Sequence, residues 1–223
     1  MSLPVLYVGN RNYSSWSLRA WLLLRGLGIP FEERVLTLGT PAFQAALAGV
    51  TPVARVPVLV DDGFAVWDSL AICEYVAERH PDKAVWPRDA RARARARSLC
   101  AEMHAGFAAL RNAMPMNIEA RFPPSLWPVP VQRDVARIVE IWERQRAEHA
   151  AAGPFLCGAF GAIDAFFAPV ASRFVTHGVT VPPASQAWMD AVQALPAMRE
   201  WTAAALAEHC FLPEDEPYRT ART

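Results

Sequence analysis

The sequence predicts a chain in two parts, an α/β unit of order βαβαββα followed by an all-helical unit. Three observations carry this reading. Strand-like and helix-like patterns alternate from residue 4 to about residue 80, the character then breaks in the segment PDKAVWPRDARARARAR, and from there to residue 210 every strong pattern is helical. A length of 223 residues suits one large or two small domains. With 53% hydrophobic residues, eight Trp and eleven Phe, the chain has the apolar surface for a true core.

The first unit opens with Val5-Leu6-Tyr7-Val8, a short apolar run that reads as a buried strand. A helix follows: Ser14 and Ser15 are candidate N-caps, Leu18, Trp21, Leu22 and Leu24 form its apolar face, and Gly26 and Gly28 end it. Pro30 opens a second strand, and a helical or irregular piece is expected around Phe43 to Leu47. Two apolar runs, Pro57 to Val60 and Phe64 to Trp67, flank the turn Asp61-Asp62-Gly63 and read as a β-hairpin. Asp68-Ser69 caps the next helix, which carries Ile72, Tyr75 and Val76 and stops at His80-Pro81. The first domain is expected over residues 1–82 and the second over 90–223.

Beyond the break, helices are expected over 90–113, about 131–150, 162–177 and 185–208. Pro169 falls inside the third, where the apolar spacing of Ile163, Phe166, Phe167, Val170 and Phe174 runs straight through it. Arg88, Arg91, Arg93, Arg95 and Arg97, interleaved with alanine, read as a solvated or interface-facing helix start.

Equal numbers of basic and acidic side chains, 22 of each, leave no field of one sign to draw nucleic acid or anionic lipid. Neither partner is expected. The N-terminus lacks the form of a signal peptide and no apolar run approaches the ~20 residues that span a bilayer, so a cytoplasmic protein is expected. Cys73, Cys100, Cys157 and Cys210 are widely spaced and read as reduced core thiols; with the five histidines they make no metal-ligand spacing, and no metal is expected.

The stretch TPVARVPVLVDDGFAVWDSLAICEYVAERHP resembles the segment of cytosolic glutathione S-transferases in which a cis-proline follows Val, a hairpin follows the proline, and an acidic-Ser pair opens the next helix. A second segment, GPFLCGAFGAIDAFFAPVASRF, resembles the family's helical-domain segment with a helix-capping Asp, here Asp164. The usual Ser or Thr three residues earlier is replaced by Gly161, so Asp164 is expected to bond amides of its own turn. The first helix, NYSSWSLRAW, looks most like serine-type and zeta-like bacterial members. The resemblance implies a thioredoxin-like first domain, a helical second domain, glutathione as co-substrate and a homodimer.

It also implies site residues. Val56 before a cis Pro57 offers its backbone to the cysteinyl part of glutathione, while Ser69 and its amide suit the γ-glutamyl carboxylate and Asp68 its ammonium. Arg55 is a further polar contact, and Asn12 and Trp16 complete the binding set. Thiol activation falls at the first strand-to-helix turn, where a hydroxyl bonded to the thiolate and the helix N-terminus favour the ionised form; the candidates are Ser14, Ser15 and Tyr13. Anchoring a zeta-type alignment on Trp16 places Asn12 at the first motif serine, which leaves the choice among them open. A small, largely apolar electrophile is expected against His104, Phe107, Arg111, Met114 and Met116, although such a stripe is more often core. The functions implied are thiol conjugation or glutathione-dependent isomerisation; a catalytically silent binding or regulatory relative is the alternative. A disulfide reductase is disfavoured, because no cysteine lies at the first turn.

Overall fold

The computed structural model describes residues 2–216 and Tyr218. Its first unit runs β1 (Val5–Gly9), α1 (Ser15–Gly26), β2 (Glu32–Leu36), α2 (Pro41–Ala48), β3 (Val58–Asp61), β4 (Phe64–Val66) and α3 (Ser69–Arg79). The four strands form one sheet in the order β2-β1-β3-β4, with β1 parallel to β2 and antiparallel to β3. This is the mixed sheet of a thioredoxin-like domain. Register pairs Leu6 with Leu59 and Tyr7 with Val58, so the β1–β3 ladder stops at Val58 and the backbone of Val56 lies beyond it.

Local chemistry sets each boundary. Ser14 caps α1, its Oγ accepting the Ser17 amide at 3.4 Å, and Thr40 caps α2 by accepting the Phe43 amide at 3.2 Å. The β3–β4 hairpin turns through Asp62 and Gly63, both at positive φ (48° and 80°), the backbone that a two-residue Asp-Gly turn adopts most readily. Asp68 caps α3 by accepting the Leu70 amide at 2.8 Å.

The second unit comprises α4 (Ala90–Ala105), α5 (Ala108–Ala113), α6 (Val129–His149), α7 (Ala162–Thr176), α8 (Pro183–Ala194) and α9 (Pro196–Ala207). Two expected helices are each divided. The one expected over 90–113 breaks at Gly106 and at Phe107, which sits in left-handed backbone at φ 62°. The one expected over 185–208 breaks at Leu195, which the following Pro196 excludes from helical backbone, and Pro196 opens α9. Pro169, by contrast, lies buried inside one continuous α7. Among the described residues no helix is long and apolar enough to cross a membrane.

Helix α1 joins the two units: it packs on β1 and α3 on one side and on α7 and α9 on the other. Trp21 of α1 meets Trp201 of α9 with ring centroids 5.1 Å apart. Deeper in the helical unit Trp142 and Trp188 lie 4.4 Å apart. Asp164, in the first turn of α7 and fully buried, accepts from the Gly161 amide at 3.1 Å, the Leu156 amide at 2.9 Å and the Trp188 indole at 2.8 Å. It therefore bonds its own turn, as expected, and ties two further segments to it. The glycine before it has a steric reason: a Cβ on Gly161 would lie 2.9 Å from the Val85 carbonyl oxygen and 3.0 Å from that of Ala84. Backbone approach from the inter-unit segment takes the space that a Ser or Thr cap would occupy.

Candidate active site

Two adjoining cavities sit where α1, the β3 approach and the α3 N-terminus meet α4, α5 and α7. The first, of about 380 Å³, is lined by Trp16, Val53, Arg55, Val56, Pro57, Trp67, Asp68, Ser69 and His104. The second, of about 450 Å³, holds Tyr13, Ser14 and Ser15, with Arg111 and Arg173 opposite and Leu38, Phe43, Pro115 and Met116 as its apolar walls. Trp16, Arg55 and Val56 line both, so the two spaces are neighbours across those residues.

The Val56-Pro57 peptide is cis, as the resemblance implies, and Trp67-Asp68 is a second cis bond that no sequence signal marks. Ser69 is buried, and its hydroxyl has no hydrogen-bond partner among the described residues although it borders the first cavity. A buried hydroxyl left unpaired is costly, and the first turn of α3 adds backbone amides with no intrahelical acceptor. A ligand carboxylate satisfies both. Beside it, Asp68 Oδ2 lies 3.2 Å from His104 Nε2, and the His104 ring meets Trp16 edge-on at 5.0 Å. The first cavity thus offers an anion-binding helix end and a carboxylate within one small space, the pair of groups an α-amino acid terminus requires.

The second cavity carries hydroxyls and cations. Ser14 donates to Ser17 Oγ at 2.7 Å, and Ser15 Oγ accepts from Arg173 at 3.2 Å. Tyr13 is turned to the chain's last segment: its hydroxyl donates to the buried carboxylate of Glu216 and lies 3.0 Å from the Cys210 carbonyl oxygen. Burial, reinforced by Glu216, pushes the Tyr13 phenol up to about 12. Arg173 is held by the Met114 carbonyl at 2.8 Å, and Arg111 by the carbonyls of Gly106 (3.1 Å) and Met103. Burial lowers both guanidinium pKa values. Asp215 lines the same cavity, its carboxyl raised to about 6 chiefly by burial.

Most of the residues expected from sequence converge here. Val56, Pro57, Arg55, Trp16, Asp68 and Ser69 line the first cavity, Ser14, Ser15, Tyr13, Arg111 and Met116 the second, and His104 reaches the first rather than the second. Three do not line either cavity. Asn12 is fully buried, its side-chain oxygen accepting the Glu119 amide at 3.0 Å, and Phe107 and Met114 are buried in the hydrophobic core. The second cavity joins its apolar walls to two arginines and a carboxylate, Arg111, Arg173 and Asp215. Arg173 and Asp215 are not marked by periodicity; the lone arginine in the mostly apolar α7 is the available signal for the first.

The fold defines a class: a thioredoxin-like domain followed by a helical domain is the architecture of the glutathione S-transferase fold. Residues 13–79 match the family model of the glutathione S-transferase N-terminal domain. The chain therefore carries that domain on the glutathione S-transferase fold. Its curated relatives include a probable maleylacetoacetate isomerase of Caenorhabditis elegans, 36% identical over 109 residues that cover 49% of this chain and 50% of that protein. The maleylacetoacetate isomerase of Pseudomonas aeruginosa is 35% identical over 115 residues, 51% of this chain and 54% of that one. The chain spans about half the length of these curated relatives. Among solved structures, a glutathione transferase homologue from Burkholderia with bound glutathione is 26% identical, with a TM-score of 0.68 over 92% of this chain and 98% of that one. A glutathione S-transferase of Anopheles dirus superposes with a TM-score of 0.71 at 19% identity, over 92% of this chain and 96% of that one, and bears on the fold alone.

Proposed function

We propose that the chain is a glutathione transferase that binds glutathione across both cavities and presents its thiolate to a small electrophile in the second. The observation that carries this reading is the unpaired Ser69 hydroxyl at an anion-binding helix end, joined through Val56 to the hydroxyl-lined turn of α1. The γ-glutamyl end lies at Asp68 and Ser69, the cysteinyl backbone pairs with Val56 beyond the sheet ladder, and the thiol faces Ser14 and Ser15. Ionising it requires a donor to the sulfur. Ser14 at the N-cap of α1 is the first choice, because its hydroxyl is exchanged from Ser17 by a single bond rotation and the helix dipole acts at the same point. Ser15 is second, and Tyr13 third because its hydroxyl already serves Glu216.

Arg111 and Arg173 give the second cavity a cationic wall, which favours an electrophile bearing a carboxylate over a wholly apolar one. Addition of the thiolate to an electron-poor double bond, rotation and expulsion would isomerise such a substrate and return glutathione; displacement of a leaving group would conjugate it instead. The maleylacetoacetate isomerases among the relatives support the first outcome. A homodimer, with the first domain of one chain against the helical domain of the other, belongs to the same proposal, and sedimentation showing a monomer at micromolar concentration refutes it. Calorimetric titration with glutathione beside a panel of electrophiles with and without carboxylates tests the whole. Turnover of the acidic members is expected; binding without turnover identifies a silent binder, and no binding rejects the reading.

A further inference from the structure

Arg19 of α1 is fully buried, and none of its three guanidinium nitrogens has a hydrogen-bond partner among the described residues. Its guanidinium carbon lies 4.3 Å from the centroid of Trp16 and 4.8 Å from that of Phe166, so the head is held between two rings. Cation–π contact offsets part of the cost of desolvating a charge, but a buried cation ordinarily keeps a carboxylate or several carbonyls as well. Here the surrounding charges make matters worse. Arg111 on α5 and Arg173 on α7 act on it with the same sign, and among the described residues Asp68 at the α3 N-cap opposes them, burial keeping the Cys73 and Cys100 thiols neutral. Asp68 already faces His104 at 3.2 Å. Burial, then Arg111 and Arg173, lower the Arg19 pKa to about 9, as expected of a cation short of compensation.

The position of that charge is specific. Arg19 lies one helical turn beyond Ser15, and the ring it backs, Trp16, is a shared wall of both cavities. Arg111 stands 5.0 Å from the centroid of the same ring. An anion held between the cavities would face the Trp16 ring with the Arg19 and Arg111 guanidinium carbons 4.3 and 5.0 Å from its centroid.

We propose that Arg19 is a positioning residue for thiol ionisation: through its charge and through the Trp16 ring that it orients, it favours the thiolate form of bound glutathione. The inference rests on the glutathione reading above. Arg19 touches no reacting atom; the sulfur loses its proton to water, and the uncompensated cation supplies the charge that makes this loss easier. Serine hydroxyls and the helix dipole act on the sulfur directly, while Arg19 sets the potential of the wall beside it.

The test measures thiolate absorbance against pH with saturating glutathione for the full wild-type chain, Arg19→Met and Arg19→Lys, with calorimetry of glutathione binding and thermal unfolding alongside. Arg19→Met should raise the thiol midpoint by about one unit, and so slow thiol transfer at neutral pH by about threefold to tenfold, with recovery at alkaline pH. Glutathione affinity below the midpoint should not change, and the thermal midpoint should not fall, because the substitution removes an uncompensated buried charge. Arg19→Lys, which keeps the charge, should titrate within about half a unit of wild type. If Arg19→Met does not fold, Arg19→Gln takes its place with the same expectation. A wild type that binds and ionises glutathione, beside an uncharged variant that titrates identically, overturns the proposal alone. An Arg19→Lys that shifts as far as Arg19→Met also overturns it, by removing charge as the cause. A wild type that binds no glutathione overturns both this inference and the functional reading.

Discussion

Two sets of arginines in this molecule occupy opposite environments. Those at the start of α4 are conspicuous in sequence, yet they behave as surface groups: Arg97 pairs with Glu74 at 2.7 Å and Arg93 donates to the carbonyls of Pro87 (3.1 Å) and Arg88 (2.8 Å). Arg19, Arg111 and Arg173 are isolated in sequence, lie on three different helices, and are gathered by the fold beside the α1 N-terminus with no carboxylate ion pair among the described residues. Charge density along the chain thus says little about the field inside the fold. What matters is which helices the topology brings together, and what each cation finds there.

Substitutions that separate paired from unpaired buried charge probe this contrast. The largest effect is expected at Asp164, the buried anion of the helical unit, whose two backbone donors and indole donor would all be left unsatisfied by Asp164→Ala. A loss of roughly 3–5 kcal/mol in chemical denaturation is expected. Burial also raises the Asp164 carboxyl to about 6 from 3.8. A raised carboxyl contributes stability that is fully present below pH 3.8 and lost as pH rises through about 6, so Asp164→Asn should flatten that decline, read as unfolding free energy against pH.

Arg173 comes next. Unlike Arg19 it has partners, so Arg173→Ala should destabilise by about 2–3 kcal/mol and leave Ser15 and the Met114 carbonyl unpaired. A thermal midpoint at or above that of wild type would erase the distinction drawn between the two arginines. In the first cavity, Ser69→Ala removes a hydroxyl that has no internal partner to lose, so stability should hold while glutathione affinity falls by about tenfold to a hundredfold in calorimetry, the worth of one charge-assisted bond. The smallest effect belongs to the surface set: Arg97→Ala should change stability by under about 1 kcal/mol, less still in high salt.

The sequence made the local parts of this picture legible. Strand and helix order to residue 80, the Asp62-Gly63 hairpin and the Asp68 cap rest on neighbouring residues, and periodicity or turn chemistry reports neighbours well. Continuity of apolar spacing misled at Gly106 and Pro196, where Met103, Phe107 and Leu110, or Trp188 and Trp201, keep a helical rhythm across a real break. In the site, Val56-Pro57 and Asp68-Ser69 were found through the family resemblance of one contiguous segment. Phe107 and Met114 lie in the core and line neither cavity, because spacing along a helix does not say which side faces the cavity and which the core. Arg173 and Asp215 reach the α1 turn from more than 150 positions away, a juxtaposition that only the packing of α7 and the segment after α9 creates.

That last segment also bears on the order of events in folding. The Arg11 and Asn12 amides donate to Glu208 at 2.6 and 3.3 Å across separations of 197 and 196 residues, and the Tyr13 hydroxyl meets the Cys210 carbonyl oxygen across another 197. Contacts so distant in sequence form late, after the loop-closure entropy of nearly the whole chain has been met. During synthesis the sheet and α1 can assemble long before the turn carrying Ser14 acquires these anchors, so the proposed thiol-activating turn is held on both sides only after α9 docks. A truncated chain ending after α3 would expose that turn to hydrogen exchange even where its strands were protected.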